Sequence, residues 1–378
     1  MDVVQLTKDL VSRRSDSHEK EVLIFLKSLF TDLNFPIIEI PTACGGGRND
    51  LLILSKEIND GGKEDGLLFS GHMDVVPPGD INAWKTEPFT PTLSEDGCLI
   101  GRGTTDMKGG LAAFTTAFLD IIDIAKDGDK LIGLLYTVDE ETSLKGAEAF
   151  CESKYSRLFT HAILGEPTSL FPVRGHKGVL FTKLHAKGKA SHGSVPHLGI
   201  NAITLAFDAF QLIEGEFLKQ QEAHNHPILG TPTMNLGKIY GGSVPNMVPD
   251  ACTMEIDRRV TGGEDINAIL DGYKEIIKNF KVPEDAGIDL ECINARAPYF
   301  VDDDDAFLSK IRDSLGPANT MNGYTEAGVF NDKANITTVI LGPGGIHSAH
   351  TANESISIEQ LIKAREIYEK IMLEHVKS

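Results

Sequence analysis

Residues 67–74 have the sequence Leu-Leu-Phe-Ser-Gly-His-Met-Asp, a mostly apolar run that ends in glycine, histidine and aspartate. A short run of this kind, bounded by a turn residue, predicts a buried strand. Four similar runs occupy residues 51–54, 131–138, 161–164 and 337–341, and helical patterns are found at 111–124 and 358–372. This alternation predicts an α/β domain with a largely parallel sheet. A capping pattern at 16–19 and the apolar positions after it predict an earlier helix over about 17–33.

The middle of the chain has a different order of elements. Residues 178–187, 232–240, 252–259 and 288–293 have the pattern of strands, and residues 201–217 and 264–280 have the pattern of helices. The order strand–helix–strand–strand–helix–strand is that of a ferredoxin-like sandwich. We therefore predict an inserted α+β lid or dimerisation domain at 175–293, within a catalytic domain formed by residues 1–174 and 294–378.

Composition narrows the class of protein. The chain has 378 residues, of which 41% are hydrophobic, so a wholly disordered protein is excluded. Its 36 basic and 55 acidic residues give a formal net charge of -19, which disfavours nucleic acid and anionic membranes as partners. No apolar run reaches the roughly 18 residues of a membrane span, and no signal peptide is apparent, so the expected location is the cytoplasm. The five cysteines include no C-x-x-C pair, so neither a disulfide framework nor a cysteine zinc site is expected.

Polar residues follow the predicted strands at the ends where ligands gather in open α/β sheets. The set comprises His72, Asp74, Glu140, Glu141, Glu166, His347 and His350, with Asp106 shortly before the helix at 111. Histidine and carboxylate ligands without a thiolate suit a catalytic zinc, cobalt or manganese ion. Asp74 stands two residues after His72, so its carboxylate is expected to hold one imidazole nitrogen while the other binds metal. Each motif alone has an ordinary structural explanation, and the prediction rests on the whole set.

Five stretches carry a resemblance to a known family. They are GHMDVVPPGD (71–80), GRGTTDMKGG (101–110), TVDEET (137–142), LGEPT (164–168) and HSAHTANE (347–354). In this order they resemble the zinc-dependent acylamino-acid deacylase and exopeptidase family, which includes acetylornithine deacetylase, succinyl-diaminopimelate desuccinylase, aminoacylase and carboxypeptidase G.

The resemblance implies two divalent metal ions, zinc first and cobalt or manganese as alternatives. The first ion would be bound by His72, Asp106 and Glu166, and the second by Asp106, Glu141 and His350, with Asp106 bridging. His350 is preferred to His347 because the family's ligand stands four residues before a glutamate, here Glu354. The resemblance also implies a cis peptide bond after Asp106.

The same resemblance implies roles for residues that do not bind metal. Glu140 would take a proton from the hydroxide-forming water between the metals and pass it to the leaving amine. In the inserted domain, His192 would stabilise the oxyanion, often in the active site of a partner subunit, so a homodimer is expected. Asn246 would be a polar substrate contact. Arg259 would grip a substrate carboxylate, with Arg258 as the alternative.

The predicted activity is hydrolysis of an N-acyl amino acid, a small-molecule substrate. Residues 71–92 look like desuccinylases and deacetylases of this family, whereas TEAGVF (325–330) departs from the desuccinylase pattern and looks closer to acetylornithine deacetylase. The choice between succinyl-diaminopimelate and acetylornithine therefore stays open. A dipeptidase or carboxypeptidase with the same metals is the alternative enzyme. A non-catalytic binding protein on this scaffold ranks below both, because the five ligands and Glu140 are all present.

Overall fold

The computed structural model describes residues 1–58 and 65–377. Within these residues the chain forms ten α-helices: α1 (Val3–Val11), α2 (Lys20–Ser28), α3 (Gly109–Asp120), α4 (Ile122–Asp127), α5 (Lys145–Glu152), α6 (Ala202–Gln220), α7 (Ile266–Asn279), α8 (Ala306–Leu315), α9 (Glu326–Ala334) and α10 (Ile358–Val376). The same residues form eighteen strands: β1 (Ile37–Pro41), β2 (Asn49–Leu54), β3 (Gly66–His72), β4 (Thr92–Leu93), β5 (Cys98–Ile100), β6 (Ile132–Thr137), β7 (Phe159–Leu164), β8 (Val173–His176), β9 (Gly178–Lys187), β10 (Ser191–His192), β11 (Thr233–Gly241), β12 (Met247–Val248), β13 (Ala251–Val260), β14 (Gly287–Arg296), β15 (Tyr299–Phe300), β16 (Asn319–Met321), β17 (Thr337–Ile340) and β18 (Ser355–Ser357).

The chain divides into two compact units. The first unit comprises Met1–Arg174, Val301–Asn319 and Thr325–Ser378. Six strands of its main sheet lie in the order β1-β2-β6-β3-β7-β17. The strand pairs β3–β6, β3–β7 and β7–β17 are parallel, and β1 and β2 add an antiparallel edge. The predicted α/β domain with a largely parallel sheet is confirmed.

The central strands of this sheet are buried on both faces. Every residue of β3 and of β6 is buried, as expected for parallel strands covered by helices on each side. On one face, Phe114 of α3 packs against Phe69 and Tyr136. Gly110, in the first turn of α3, lies so close to Gly165 that an added Cβ would be 2.3 Å from the Gly165 carbonyl oxygen. This close approach brings the start of α3 against the residues that follow β7.

The second unit comprises Gly175–Phe300 and Thr320–Tyr324. Its four-stranded sheet has the order β11-β13-β9-β14, and all neighbouring strands are antiparallel. Helices α6 and α7 contribute to one apolar core with the sheet, which contains Leu184, Phe210, Met254 and Tyr273. This is the strand order of the predicted ferredoxin-like sandwich. The predicted segment 175–293 begins where the unit begins, and the unit continues beyond it to Phe300.

The predicted helix at 17–33 is longer than the helix observed. α2 begins at Lys20 and ends at Ser28. Asp16 does not cap it, because its carboxylate pairs with Arg14 at 2.8 Å. The Glu19 side chain makes no capping hydrogen bond either and is bound by Arg48 instead. The prediction that residues 16–19 form a capping box at the start of this helix was therefore wrong, since both acidic side chains have other partners.

Two expectations from composition can be checked against the fold. None of the helices in residues 1–58 and 65–377 is long and apolar enough to cross a membrane. The five cysteines are all free.

Candidate metal centre

The predicted ligands of the first unit come together at one edge of its sheet. His72 is the last residue of β3, Glu141 follows β6, and Glu166 follows β7. Since β6 and β7 both run parallel to β3, their carboxyl ends lie at the same edge. Asp106 reaches this edge from the segment Thr104–Lys108, in which Asp106 and Met107 have non-helical backbone angles. His350 reaches it from the segment between β17 and β18.

Two groups of side chains could each hold a metal ion. His72, Asp106 and Glu166 form the first group, Asp106, Glu141 and His350 form the second, and the ligand atoms of each lie within 4.8 Å of one another. The Asp106 Oδ1 atom is 3.1 Å from His72 Nε2, while its Oδ2 atom is 3.3 Å from His350 Nε2. The two oxygens of one carboxylate thus face two different histidines. The donor set, its sharing of Asp106 and its mixed histidine and carboxylate chemistry fit a pair of divalent cations.

The electrostatics of the groups also favour cations. Burial raises the pKa of Glu166 well above its ordinary value, and the Asp106 charge acts in the same direction. Burial opposes ionisation of Asp106 as well, but hydrogen bonds with His350 and His72 hold its pKa below the ordinary range. Hydrogen bonds with Asp106 and Glu141 raise the pKa of His350 to about 10. Carboxylates crowded in this way repel one another, and a bound cation would relieve that repulsion.

Glu140 immediately precedes Glu141 and interacts electrostatically with His72 and Glu166. Within the part of the chain that the structure describes, it is a member of neither ligand group. Desolvation raises its pKa well above the ordinary value, and the charges of Glu166 and Glu141 add to this effect, with His72 opposing it. A buried carboxyl group that stands next to a candidate metal centre and is not used as a ligand is suited to accept and return a proton.

Asp74 contacts His72 differently from our expectation. His72 Nδ1 lies 2.9 Å from the main-chain oxygen of Asp74 and 3.6 Å from its carboxylate. The carboxylate instead accepts hydrogen bonds from the main-chain N–H groups of Glu140 and Glu141, at 3.2 and 3.1 Å. The alternation of side chains that underlies the prediction ends with β3 at His72, so the Asp74 side chain turns towards the neighbouring loop. Burial raises the pKa of Asp74 to about 6.

The Asp106 turn is held by Glu354. The Glu354 carboxylate accepts hydrogen bonds from the main-chain N–H groups of Gly103, Thr105 and Asp106 at 2.8–3.0 Å, and from Arg102 Nη1 at 2.6 Å. The Asp106–Met107 peptide bond is cis, as the resemblance implied. His347 joins neither ligand group among the described residues, whereas His350 does.

Two further residues near the candidate metal centre were not predicted from the sequence. Glu326, in the first turn of α9, is wholly buried, and burial raises its pKa to about 7, with the Thr137 hydroxyl acting in the opposite direction. Arg48 binds Glu19 and Asp139, next to Glu140. An acidic residue at a helix start and an arginine after glycines have ordinary explanations, so neither carried a signal in the sequence.

The residues predicted for the lid lie in the second unit. His192 and Asn246 are exposed, and their segments are joined by the β10–β12 pairing and by a hydrogen bond from Gly193 N–H to the Asn246 main-chain oxygen at 2.7 Å. Arg259 is partly exposed and forms a bidentate ion pair with the Asp257 carboxylate. Arg258 is buried and donates hydrogen bonds to Tyr273 and Glu264, so its guanidinium is already engaged inside the lid core. Of the two arginines, Arg259 is the more exposed, at 27% against 3% for Arg258.

The fold and the two ligand groups define a metal-binding hydrolase. A model of peptidase family M20/M25/M40 matches residues 68–374, and the chain belongs to this family, whose members hydrolyse amide bonds. The chain is 33% identical over 364 residues to the acetylornithine deacetylase of Pectobacterium carotovorum subsp. carotovorum (strain PC1), with 94% of this chain and 91% of the relative covered.

Solved structures share the fold over the whole chain. The M20 family metallo-carboxypeptidase Sso-CP2 from Sulfolobus solfataricus superposes with a TM-score of 0.78 at 21% identity, and each chain is covered completely. The YXEP protein of Bacillus subtilis, described as a dinuclear metal-binding peptidase of the M20 family, superposes with a TM-score of 0.66 at 13% identity, covering 99% of this chain and 98% of the other. At these identities the likeness concerns the fold.

Proposed function

We propose that this protein removes the acyl group from an N-acyl amino acid, with N-acetyl-ornithine as the first candidate substrate and N-succinyl-diaminopimelate as the second. The observation that carries the proposal is the pair of ligand groups that share Asp106, with Glu140 beside them. The 33% identity to acetylornithine deacetylases over most of the chain supports the acetyl substrate, as does the TEAGVF stretch at 325–330.

The chemistry follows from the residues around the two groups. Two divalent cations, zinc in the first place and cobalt or manganese as alternatives, would polarise the scissile carbonyl and lower the pKa of the attacking water when bound. Glu140 takes the proton of this water and delivers it to the nitrogen of the leaving amine. Asp74 keeps Glu140 in place, because its carboxylate binds the main-chain N–H groups of Glu140 and Glu141. His72 is oriented by the main-chain oxygen of Asp74.

The lid supplies the groups that select the substrate in this proposal. His192 stabilises the developing oxyanion, and Asn246 makes a polar contact with the substrate. Arg259 leaves its ion pair with Asp257 and binds the carboxylate of the amino acid instead. The guanidinium suits this task because it binds a carboxylate through two parallel hydrogen bonds. We also propose that the protein is a homodimer joined through the second unit and that His192 serves the active site of the other subunit.

A peptidase activity is the second candidate. The likeness to the metallo-carboxypeptidase Sso-CP2, at a TM-score of 0.78, favours it, because the cleavage of a peptide bond by metal-activated water is the same chemistry as the cleavage of an N-acyl bond. The two candidates differ in the group on the acyl side of the bond.

One substrate panel separates the candidates. The protein is assayed with N-acetyl-ornithine, N-succinyl-diaminopimelate and simple dipeptides, each with zinc, cobalt or manganese. We expect kcat/KM to be highest for N-acetyl-ornithine. A preference for dipeptides would replace the proposal by the peptidase, and no hydrolysis with any metal would favour a binding protein.

Glu140→Gln tests the mechanism. The amide cannot take a proton from water, so we expect turnover to fall by roughly 10²–10⁴-fold while both metal ions remain bound. Metal content by elemental analysis and steady-state kinetics provide the two readouts. Glu95→Gln, at an exposed position of the same unit, is the matched control and should keep full activity. An active Glu140→Gln enzyme would remove Glu140 from the mechanism.

A further inference from the structure

Arg48 connects the start of α2 with the turn that carries Glu140. Its Nε donates a hydrogen bond to Glu19 Oε2 at 2.8 Å, and its Nη2 donates to the other oxygen of Glu19. Its Nη1 donates to Asp139 Oδ1 at 3.2 Å. One guanidinium therefore binds one carboxylate with two nitrogens and a second carboxylate with the third. This geometry requires the planar fork of arginine, which the single ammonium of lysine lacks.

The two carboxylates of this bridge are almost completely buried. The exposed fraction is 2% for the Glu19 side chain and 7% for that of Asp139, against 23% for Arg48. Arg48 thus approaches the buried acids from the solvent side and supplies positive charge to both. Removing it would leave two buried carboxylates without their cationic partner, which favours rearrangement of the segments that carry them.

Asp139 closes the turn that presents the catalytic residues. Its φ angle is +68°, its main-chain oxygen accepts a hydrogen bond from Leu144 N–H at 2.8 Å, and its carboxylate accepts one from Thr142 Oγ1 at 2.5 Å. Glu140 and Glu141 are the next two residues of the chain. The Asp74 carboxylate accepts hydrogen bonds from their main-chain N–H groups. The Asp139 carboxylate stabilises the same turn through its hydrogen bond with Thr142. Through its hydrogen bonds to Asp139 and Glu19, Arg48 connects the Asp139 carboxylate with the start of α2.

We infer that Arg48 is a positioning residue for the turn 139–141 and acts through Asp139 on Glu140 and Glu141. The inference rests on the proposed role of Glu140 as the proton acceptor. Loss of the bridge leaves the group of His72, Asp106 and Glu166 in place, because none of these residues lies on the turn. It loosens the proton acceptor and the ligand Glu141, so turnover and the binding of one of the two metal ions weaken together.

The surroundings of Arg48 allow a direct test by chemical rescue. Arg48 lines an open cleft of about 530 Å³ beside Gly46, Lys20 and Lys27. Replacing the arginine with alanine leaves a gap at the wall of this cleft. A free guanidinium ion of the right shape and charge can enter from solvent and bind the Glu19 and Asp139 carboxylates.

The experiment compares Arg48→Ala with Arg365→Ala in the full-length protein loaded with metal. Arg365 pairs with Asp120 at 2.6 Å in the same unit and is similarly exposed, at 32%, so it controls for the loss of an ordinary ion pair. For Arg48→Ala we expect kcat to fall about 10–100-fold with little change in KM, because a displaced catalytic group costs rate rather than substrate binding. We expect one of two metal dissociation constants to rise about 10-fold. Guanidinium at non-denaturing millimolar concentrations should restore kcat in a saturable manner, and it should not affect Arg365→Ala.

Arg48→Lys and Asp139→Asn cover the case in which Arg48→Ala does not fold. Each retains part of the bridge, and each should show a smaller loss of kcat at an unchanged thermal midpoint. Unchanged kcat in the folded variants, or a loss in Arg48→Ala that guanidinium does not restore, overturns the inference. Glu140→Gln is measured in parallel. If Glu140→Gln is active, the proposed function fails, whereas an inactive Glu140→Gln with a fully active Arg48→Ala removes this inference alone.

Discussion

At the scale of single residues, the centre depends on how each carboxylate divides its two oxygens. Asp106 offers one oxygen to His72 and the other to His350. Glu354 offers one oxygen to two main-chain N–H groups and the other to Arg102 and Gly103. Because Glu354 holds the main chain of Asp106 directly, this candidate bridging ligand is oriented before a metal arrives. Such preorganisation lowers the cost of assembling the site.

Asp74→Asn tests whether the two oxygens of the neighbouring Asp74 carboxylate also have separate roles. The Asp74 carboxylate accepts hydrogen bonds from two main-chain N–H groups, and an asparagine amide would turn an N–H against one of them. We expect kcat to fall about 10–100-fold, as is typical for groups that orient a metal site. The group of His72 should keep its metal, because His72 contacts the main-chain oxygen of Asp74, which the substitution retains. Kinetics and metal content are measured together.

Asp80→Asn is the control for Asp74→Asn. Asp80 is exposed and accepts a hydrogen bond from Asn82 N–H at 2.9 Å, so the substitution has the same chemistry away from the centre. It should leave kcat unchanged. Loss of metal from the first group in Asp74→Asn, with kcat intact, would contradict the contacts assigned to the two parts of Asp74.

The clustering of the candidate ligands could be predicted from sequence because each follows a recognisable strand or precedes a helix, and the topology of a parallel sheet then brings them together. The contact of the Asp74 carboxylate could not be predicted, since it depends on the path of a turn 66 residues further along the chain. Arg48 and Glu326 lie outside any motif. Their importance depends on burial and on partners distant in sequence, which local patterns do not contain.

At the scale of elements, α3 is positioned by two glycines. Gly109 and Gly110 open the helix, and an added Cβ on Gly110 would lie 2.3 Å from the Gly165 carbonyl oxygen. Gly165 immediately precedes the ligand Glu166. The distance between the start of α3 and the end of β7 is therefore set by the absence of a side chain at Gly110, and the position of the candidate ligand Glu166 depends on it.

Gly110→Ala and Gly272→Ala should have opposite effects on stability. At Gly110 the new methyl group collides with main chain, and we expect a loss of about 1–3 kcal/mol together with weaker metal binding. Gly272 lies in α7, where an added Cβ meets no atom within 4 Å. There alanine should add about 0.5–1 kcal/mol by reducing the entropy of the unfolded chain. Urea unfolding measures both values, and a change of the same sign in the two variants would contradict the packing argument.

Element boundaries were predicted less well than element order. The helix predicted at 17–33 begins later, at Lys20, because Asp16 and Glu19 bind arginines rather than helix N–H groups, and it ends at Ser28. The strand order of the second unit agreed with the prediction, since it follows from the sequence of elements and from known rules of topology. Side-chain partners decide where a helix begins, whereas the pattern of apolar residues decides which elements exist.

At the scale of the whole molecule, the two units have separate cores, and the candidate ligands all belong to the first. An ion that binds only the folded state stabilises it by RT ln(1 + [L]/Kd), or about 2.7 kcal/mol at a concentration of 100 Kd. We therefore expect chelation to lower the unfolding temperature of the first unit and to leave the second unit unchanged.

The single tryptophan allows this expectation to be measured. Trp84 is buried and lies in the first unit, so its fluorescence reports the unfolding of that unit alone. In EDTA the fluorescence midpoint should move to a lower temperature, while far-ultraviolet circular dichroism should show a second transition that does not move. A single transition followed by both signals, with or without EDTA, would show that the units unfold together.

The proposed homodimer is best tested at the two edges of the lid sheet. β11 forms one edge and carries Ile239 and Tyr240, which are 51% and 57% exposed, and β14 forms the other edge and carries Ile293, which is 47% exposed. Adjacent exposed apolar residues on an edge strand favour pairing with a second copy. Ile239→Lys should therefore convert a dimer into a monomer in sedimentation velocity, because a buried lysine opposes association. Ile293→Lys is the matched control and should remain dimeric. If His192 acts in the other subunit, the Ile239→Lys monomer should also lose most of its kcat, and a fully active monomer would contradict that role.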